Sequence, residues 1–205
     1  TPKPLLNVNG KPLIVHHLEN LAQAGITQVL INCSWLGEQL ESVLGCGSQF
    51  GLYIQYSYEG PIPLETAGGI RNGLDFFQGE GFLVVNGDIW TDLSFSQVLQ
   101  QQNFEPTQAT PAHLVLVNNP DHNPDGDFHL GEKNIANKGD NMLTFAGIGA
   151  YHPYIFEDLA PGVRPLAPIL RELANNQKLL GFHYTGKWCD VGTPQRLKAL
   201  NEELA

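Results

Sequence analysis

The chain has 205 residues, of which 42% are hydrophobic, and a formal net charge of −10 from 11 basic and 21 acidic side chains. That content suits one ordinary domain with a sizeable core. The apolar runs are short and broken by Gly, Pro and Asn, so none approaches the roughly 20 residues of a membrane span. The acidic balance argues against a global electrostatic attraction to nucleic acid. It leaves room for a nucleotide, whose phosphates need only local neutralisation by a metal ion, a lysine or backbone N–H groups.

The N-terminus, Thr-Pro-Lys-Pro-Leu-Leu, lacks the charged and apolar regions of a signal peptide. Cys33, Cys46 and Cys189 are widely spaced and form no CxxC pair. They read as reduced thiols, and the expectation is a cytoplasmic protein.

In chain order, residues 12–24 carry Leu13, Ile14, Leu18, Leu21 and Ala22 at helical spacing, with Gly25 to end the helix. Gln28–Cys33 reads as a buried strand, Leu36–Leu44 as a helix ended by Gly45, and Tyr53–Ser57 as a strand. Thr66–Phe76 fits a helix approached through a glycine-rich turn. Gly81–Asn86 gives the strongest buried-strand signal, and Phe95–Gln102 is helical again. His113–Val117 and Leu143–Tyr151 read as strands; residues 118–141, rich in Asn, Asp, Gly and Pro, read as loop or hairpin. Leu166–Asn175 predicts a helix, Leu179–Tyr184 and Lys187–Val191 predict strands, and Thr193-Pro194 starts a last helix with Thr as N-cap. Strands separated by helices of this length predict an α/β fold, a Rossmann-like, doubly wound, mostly parallel sheet with helices on both faces. Ligand sites are then expected at the carboxyl ends of strands.

The Asn86-Gly87-Asp88 turn follows the strongest strand, so Asp88 is expected at the rim of the sheet. A carboxylate there can hold Mg²⁺, which prefers oxygen ligands and keeps waters and substrate phosphates. Asn-Gly-Asp is equally good turn chemistry. Asp190, in Trp188-Cys-Asp-Val-Gly-Thr-Pro194, is a second carboxylate at a strand end, with capping as its ordinary alternative. Lys3 is stiffly mounted between Pro2 and Pro4, biased towards extended structure, and can meet a phosphate or simply be solvated. In Leu64-Glu-Thr-Ala-Gly-Gly-Ile70, adjacent glycines allow a base or phosphate close to the backbone at a helix start. Asp121–Glu132 matches the calcium-loop pattern D-x-N-x-D-G-x5-E, but the helices that such a loop needs on either side are not predicted. The seven histidines form no zinc pattern, and no GxSxG elbow appears.

Taken in order, Thr-Pro-Lys-Pro-Leu-Leu, Asn-Gly-Lys-Pro-Leu-Ile, Leu-Glu-Thr-Ala-Gly-Gly, Val-Val-Asn-Gly-Asp and Trp-Cys-Asp-Val-Gly-Thr-Pro resemble the sugar-1-phosphate nucleotidyltransferase family over essentially the whole chain. Ala-His-Leu-Val-Leu-Val-Asn-Asn-Pro, Gly-Asp-Phe and Leu-Thr-Phe-Ala-Gly-Ile extend the resemblance to bacterial members acting on N-acetylmuramic acid 1-phosphate. Mannose-1-phosphate guanylyltransferases are also similar.

The resemblance implies transfer of a nucleoside monophosphate, from UTP by preference, to the sugar-1-phosphate with release of pyrophosphate. It implies that Lys3 binds phosphate, that Glu65, Gly68 and Gly69 lie along the base and ribose, and that Asp88 and Asp190 hold Mg²⁺. Asn118, Asp127 and Gly147 would line the sugar side. The implied organisation is a single domain over 1–205, with a nucleotide-binding half at about 1–110 and a sugar-binding half at about 111–205. The partners implied are the nucleoside triphosphate and the sugar-1-phosphate, with no nucleic acid or membrane, in a monomer or small homo-oligomer. The family's first strand and its loop, L-x-x-G-x-G-x-R-x-x-P, precede the Thr-Pro-Lys-Pro element. The expectation is therefore a longer parent, and a chain inactive and poorly stable by itself, because a missing central strand leaves sheet edges unpaired. A catalytically inactive relative that binds a sugar nucleotide is the alternative.

Overall fold

A computed structural model describes residues 2–34, 37–100 and 105–205. The elements in chain order are β1 (Asn7–Val8), β2 (Lys11–Pro12), α1 (Leu13–Gln23), β3 (Gln28–Cys33), α2 (Gly37–Leu44), β4 (Tyr53–Tyr58), α3 (Glu65–Asn72), β5 (Phe82–Val85), β6 (Ile89–Thr91) and α4 (Phe95–Gln100). There follow β7 (Ala112–Val117), β8 (Phe128–Leu130), β9 (Ile135–Ala136), β10 (Met142–Tyr151), α5 (Tyr154–Glu157), α6 (Ala167–Asn175), β11 (Leu179–Tyr184), β12 (Trp188–Asp190) and α7 (Pro194–Leu204). The expected helix starts and ends at Leu36 and at Gln101–Gln102 lie outside the described residues.

The chain forms two compact units that interleave along the sequence. Residues 1–62, 86–100 and 186–205 make the first, and residues 63–85 and 101–185 the second.

In the first unit, β3 and β4 pair in parallel, from Gln28↔Tyr53 to Cys33↔Tyr58, with α2 between them in sequence. Helix α1 lays Ile14 and Leu18 against Ile31 and Cys33 of β3, Leu40 and Leu44 of α2, and Ile54 of β4. Gly25 (φ 83) and Gly45 (φ 55) follow α1 and α2 in the left-handed conformation that glycine adopts without a Cβ penalty. A second apolar cluster joins Val8, Leu13, Trp90, Val191 and Leu200. It ties β1, β6 and α7 together beside the segments that carry Asp88 and Asp190.

Helix α1 also fixes the chain that follows Asp88. Asn20 donates to the Leu93 carbonyl (2.7 Å) and accepts from the Phe95 N–H (2.9 Å). His17 meets the Ile89 carbonyl through Nε2 at 2.8 Å. A carbonyl can only accept, so that nitrogen carries the proton. Burial pushes the His17 pKa down to about 4. The folded state thus prefers neutral His17, while the unfolded chain takes up its proton near the ordinary value of about 6.5. Between those values the unfolded state binds more protons, so this contribution to stability is complete above about pH 6.5 and is lost as pH falls towards 4. The melting temperature is expected to drop between pH 7 and pH 5, with a shallower drop in His17→Gln. Equal slopes for the two proteins would rule out His17 as the source.

In the second unit, one six-stranded sheet runs β11-β7-β10-β8-β9, with β5 also on β10. The α/β architecture matches the expectation, but the sheet is mixed, not mostly parallel. Strands β11 and β7 are parallel, and β10 runs antiparallel to β5, β7 and β8. The reason lies in β10, a ten-residue strand long enough to take β8 at Met142 and Leu143, β7 from Thr144 to Tyr151 and β5 from Ile148 to Tyr151. Strand β7 is buried at every position, which accounts for its apolar run from Leu114 to Val117. Leu114 and Leu116 of β7, Tyr151 of β10, Phe156 of α5 and Leu170 and Leu173 of α6 form its core. The loop expected over 118–141 contains the β8–β9 hairpin. Among the described residues, no helix is long and apolar enough to cross a membrane.

Candidate active site

Pro2 is extended (φ −57, ψ 140), and Lys3–Leu5 form a single 3-10 turn. The local conformation of Lys3 is therefore a turn, not the extended structure expected from its prolines. A φ near −65° suits both conformations, so the prolines alone do not choose. Lys3 Nζ stands 3.6 Å from Asp88 Oδ2, with both side chains partly exposed. Gly87 packs closely on the Lys3–Leu5 turn, since a Cβ there would lie 3.1 Å from Pro4 Cγ.

Asp190 reaches the same place from the far end of the chain. Strand β12 pairs antiparallel with β6, setting Asp190 opposite Ile89. The Val191 N–H then donates to the Asp88 carbonyl at 2.6 Å. Asp190 ends β12 and Asp88 sits in the turn just before β6, so the two residues lie at one end of a short ladder, which no local pattern could reveal.

The sequence reading missed Arg196. Its Nη1 stands 2.6 Å from Asp190 Oδ1 and 2.9 Å from Oδ2, so one nitrogen holds both oxygens. Thr193 Oγ1 caps α7 by accepting from the Arg196 N–H. Gly192 has no side chain to collide with the guanidinium, which a Cβ would overlap. The available signal was an arginine in the first turn of a capped helix just downstream of Asp190. Both carboxylates therefore face a cation, and both offer the hard oxygen donors that Mg²⁺ accepts. Mg²⁺ is usually bound through one or two carboxylates with the remaining ligands from phosphates and water. Among the described residues no cluster of three or more His, Cys, Asp or Glu forms a metal cage. The donor set fits an ion brought with a triphosphate.

In the second unit, Glu65 is the exposed first residue of α3 and has φ 58. That is an uncommon conformation for a side chain of this kind, and such strain collects at functional sites. Gly68 and Gly69 are buried. A Cβ on Gly68 would overlap the Gly162 carbonyl oxygen, and the Gly68 N–H donates to the Arg164 carbonyl at 3.1 Å. Gly68 is thus demanded by the packing of α3 on residues 162–164.

Asn118 is exposed just past the carboxyl end of β7. Both oxygens of Asp127 are engaged internally, Oδ1 by Asn123 Nδ2 (3.2 Å) and Oδ2 by the Phe145 N–H (2.8 Å). Gly147 is buried with φ 74, inside the register shift of β10 between Phe145 and Gly149. The calcium-like stretch 121–132 lies between strands β7 and β9 and contains β8, so it lacks the helices of a calcium-binding hand, as its sequence context predicted.

The chain belongs to the nucleotidyl transferase family, whose profile matches residues 1–128. It is 49% identical over 202 residues to the N-acetylmuramate alpha-1-phosphate uridylyltransferase of Neisseria meningitidis serogroup B, spanning 97% of this chain and 87% of that protein. It is 29% identical over 208 residues to the mannose-1-phosphate guanylyltransferase catalytic subunit beta of Drosophila pseudoobscura, spanning 95% of this chain and 54% of the relative, or about half its length. The fold is shared with a crystal structure of a glucose-1-phosphate thymidylyltransferase from Bacillus anthracis in complex with a sucrose (TM-score 0.82, 22% identity, 99% of this chain and 86% of that chain). It is also shared with HddC from Yersinia pseudotuberculosis (TM-score 0.77, 20% identity, 100% of this chain and 91% of that chain).

Proposed function

We propose that this protein transfers uridine monophosphate from UTP to N-acetylmuramic acid 1-phosphate, releasing pyrophosphate. The observation that carries this reading is the 49% identity, running through nearly the whole chain, to a relative of that name. The geometry supports it, because Lys3, Asp88, Asp190 and Arg196 gather charge suited to a polyphosphate. In this reading a phosphate oxygen of the sugar-1-phosphate attacks the α-phosphorus of UTP. The P–O bond to the pyrophosphate breaks, and pyrophosphate leaves in line.

The nucleophile is already anionic near neutral pH, so no strong general base is needed. Catalysis is positioning and charge neutralisation. Asp88 and Asp190 would hold a magnesium ion, which when bound supplies charge to the reacting phosphates. Lys3 offsets further negative charge. Glu65 accepts a hydrogen bond from the nucleotide; uracil and guanine both offer an N–H, so this residue does not choose the base. The enzyme would work in the cytoplasm, returning cell-wall sugar to the nucleotide-sugar pool.

The test is a panel of UTP, GTP and dTTP against N-acetylmuramic acid 1-phosphate, N-acetylglucosamine 1-phosphate and mannose 1-phosphate, with Mg²⁺ and full-length protein. Pyrophosphate release should be fastest for UTP with the first sugar, by about tenfold or more in kcat/KM, the equivalent of one well-made contact. Preference for GTP with mannose 1-phosphate would replace this reading by the guanylyltransferase one. No release with any pair would leave a binding protein.

A further inference from the structure

Three residues of the second unit bear on sugar recognition by family resemblance, yet only Asn118 offers an exposed polar side chain. Asp127 has both oxygens engaged, and Gly147 is buried. What holds Asn118 is therefore informative. On one side stands His183, the residue of β11 in register with Leu116 of the parallel strand β7. Its Nε2 lies 2.9 Å from Asn118 Oδ1. An amide oxygen only accepts, so His183 donates there and fixes which way the amide points. The Nδ2 group of Asn118 is left as a pair of donors with no partner among the described residues.

On the other side the chain is locked immediately after Asn118. Asn119 donates through Nδ2 to the Pro124 and Met142 carbonyls, both at 3.1 Å, and accepts from the Thr144 hydroxyl at 2.9 Å. Asn123 Nδ2 donates to Thr144 Oγ1 (3.1 Å) as well as to Asp127. The Asp127 N–H donates to the Leu143 carbonyl at 2.8 Å. Thr144 is buried. Gly126 (φ 67) has no room for a Cβ, which would crowd Asn119 Oδ1 and the Leu143 backbone. The loop from Asn118 to Asp127 is thus sewn onto β10 by side chains that bond one another and the backbone. Hydrogen-bond networks of this kind favour one arrangement.

We propose that His183 and the Asn119–Asn123–Asp127–Thr144 network are positioning residues that hold Asn118 as a sugar-reading donor, with Asp127 acting through the loop and not by touching the sugar. The group read is an acceptor on the sugar, and this rests on the function proposed above. That sugar carries a carboxylate on its lactyl ether, a strong acceptor for two fixed N–H groups. The parallel pair β7–β11 ends here, and carboxyl ends of parallel strands are where such folds bind ligands.

The experiment compares the full-length wild type with Asn118→Ala, His183→Ala, His183→Gln, Asn123→Ala and the double variant Asn118→Ala/His183→Ala. Asn118→Ala and His183→Ala should each raise KM for N-acetylmuramic acid 1-phosphate about tenfold, the effect of one lost hydrogen bond, with KM for UTP unchanged. The double variant should be no worse than either single one, because both act at one contact. His183→Gln, whose amide can still donate to Oδ1, should recover most of the loss. Asn123→Ala should raise the same KM and speed amide hydrogen exchange over 118–127. N-acetylglucosamine 1-phosphate, which lacks the lactyl group, should be insensitive to all of these changes. Multiplying effects of Asn118 and His183, or a normal sugar KM in His183→Ala, would overturn the proposal.

A separate readout does not depend on turnover. Relaxation of the Asn118 side-chain amide resonances should report a rigid group in the wild type and in His183→Gln but a mobile one in His183→Ala. If the wild type fails to turn over this sugar, the functional reading falls. The frame itself then stands or falls on these resonances and on exchange in Asn123→Ala.

Discussion

Asp88→Asn is expected to lower kcat by at least about a hundredfold while leaving the melting temperature within a few degrees of wild type. The size follows from the loss of a charge placed where negative phosphate oxygens and a divalent ion would meet. Asparagine keeps the shape and one acceptor but not the charge, so ion binding suffers more than packing. Stability should barely change, because Asp88 is 41% exposed and its partner Lys3 is 55% exposed. Exposed pairs of that kind are worth at most about 1 kcal/mol. The backbone at Asp88 is held independently, by its own carbonyl accepting from Val191. Pyrophosphate release under saturating substrates and a melting curve check the two halves of the prediction. Activity within a few-fold of wild type would remove Asp88 from the catalytic role. A large loss in both activity and melting temperature would assign it to the turn.

Most elements were legible, and the exceptions have physical reasons. The strands expected over 28–33, 113–117 and 179–184 form, the middle one fully buried and the other two only partly so. Helix α1 follows its 3.6-residue stripe from Leu13 to Leu21. The helix expected over 66–76 instead ends at Asn72, with a 3-10 turn at Leu74–Phe77, because Gly73 divides it. The β1–β2 hairpin was overlooked although Asn9-Gly10 is a strong turn signal. Both residues have positive φ (47 and 84), the pattern of a tight hairpin turn.

Strand direction was harder to read. Strand β5 has the composition of a parallel strand, but it pairs with β10 in the opposite sense. Burial on both faces gives the same apolar run in either case. The site divides in the same way. Lys3, Asp88 and Asp190 stood out through the order of motifs, whereas their grouping depends on the β6–β12 ladder. His183 emerges only once β7 and β11 are paired, whereas Arg196 lies six residues from Asp190 in the first turn of a capped helix, a local signal that the motif order did not single out.

Arg196 leads to the second large effect. Asp190→Asn is expected to lower kcat about as far as Asp88→Asn. The double variant should be little worse than either alone, because residues serving one ion act as a unit. Arg196→Gln should behave differently. In the protein without substrates, Arg196 Nη1 contacts both oxygens of Asp190, so its positive charge and the lone pairs it occupies compete with a metal ion for that carboxylate. Removing the guanidinium relieves the competition and leaves Asp190 more negative towards an ion. Mn²⁺, read by its own paramagnetic signal, should therefore bind the free Arg196→Gln protein several-fold more tightly than wild type, as expected for loss of a nearby positive charge.

The same change should lower the melting temperature by a few degrees. Each partner of this pair is only 29% exposed, and its removal strips α7 of a first-turn anchor. If Mn²⁺ binds both proteins equally while the melting temperature falls, Arg196 is an anchor of α7 alone. If Mn²⁺ binds the variant more weakly, the guanidinium shapes the carboxylate for the ion and does not compete with it. Competition and shaping give opposite signs for one measured constant, so a single titration of the free protein decides between them.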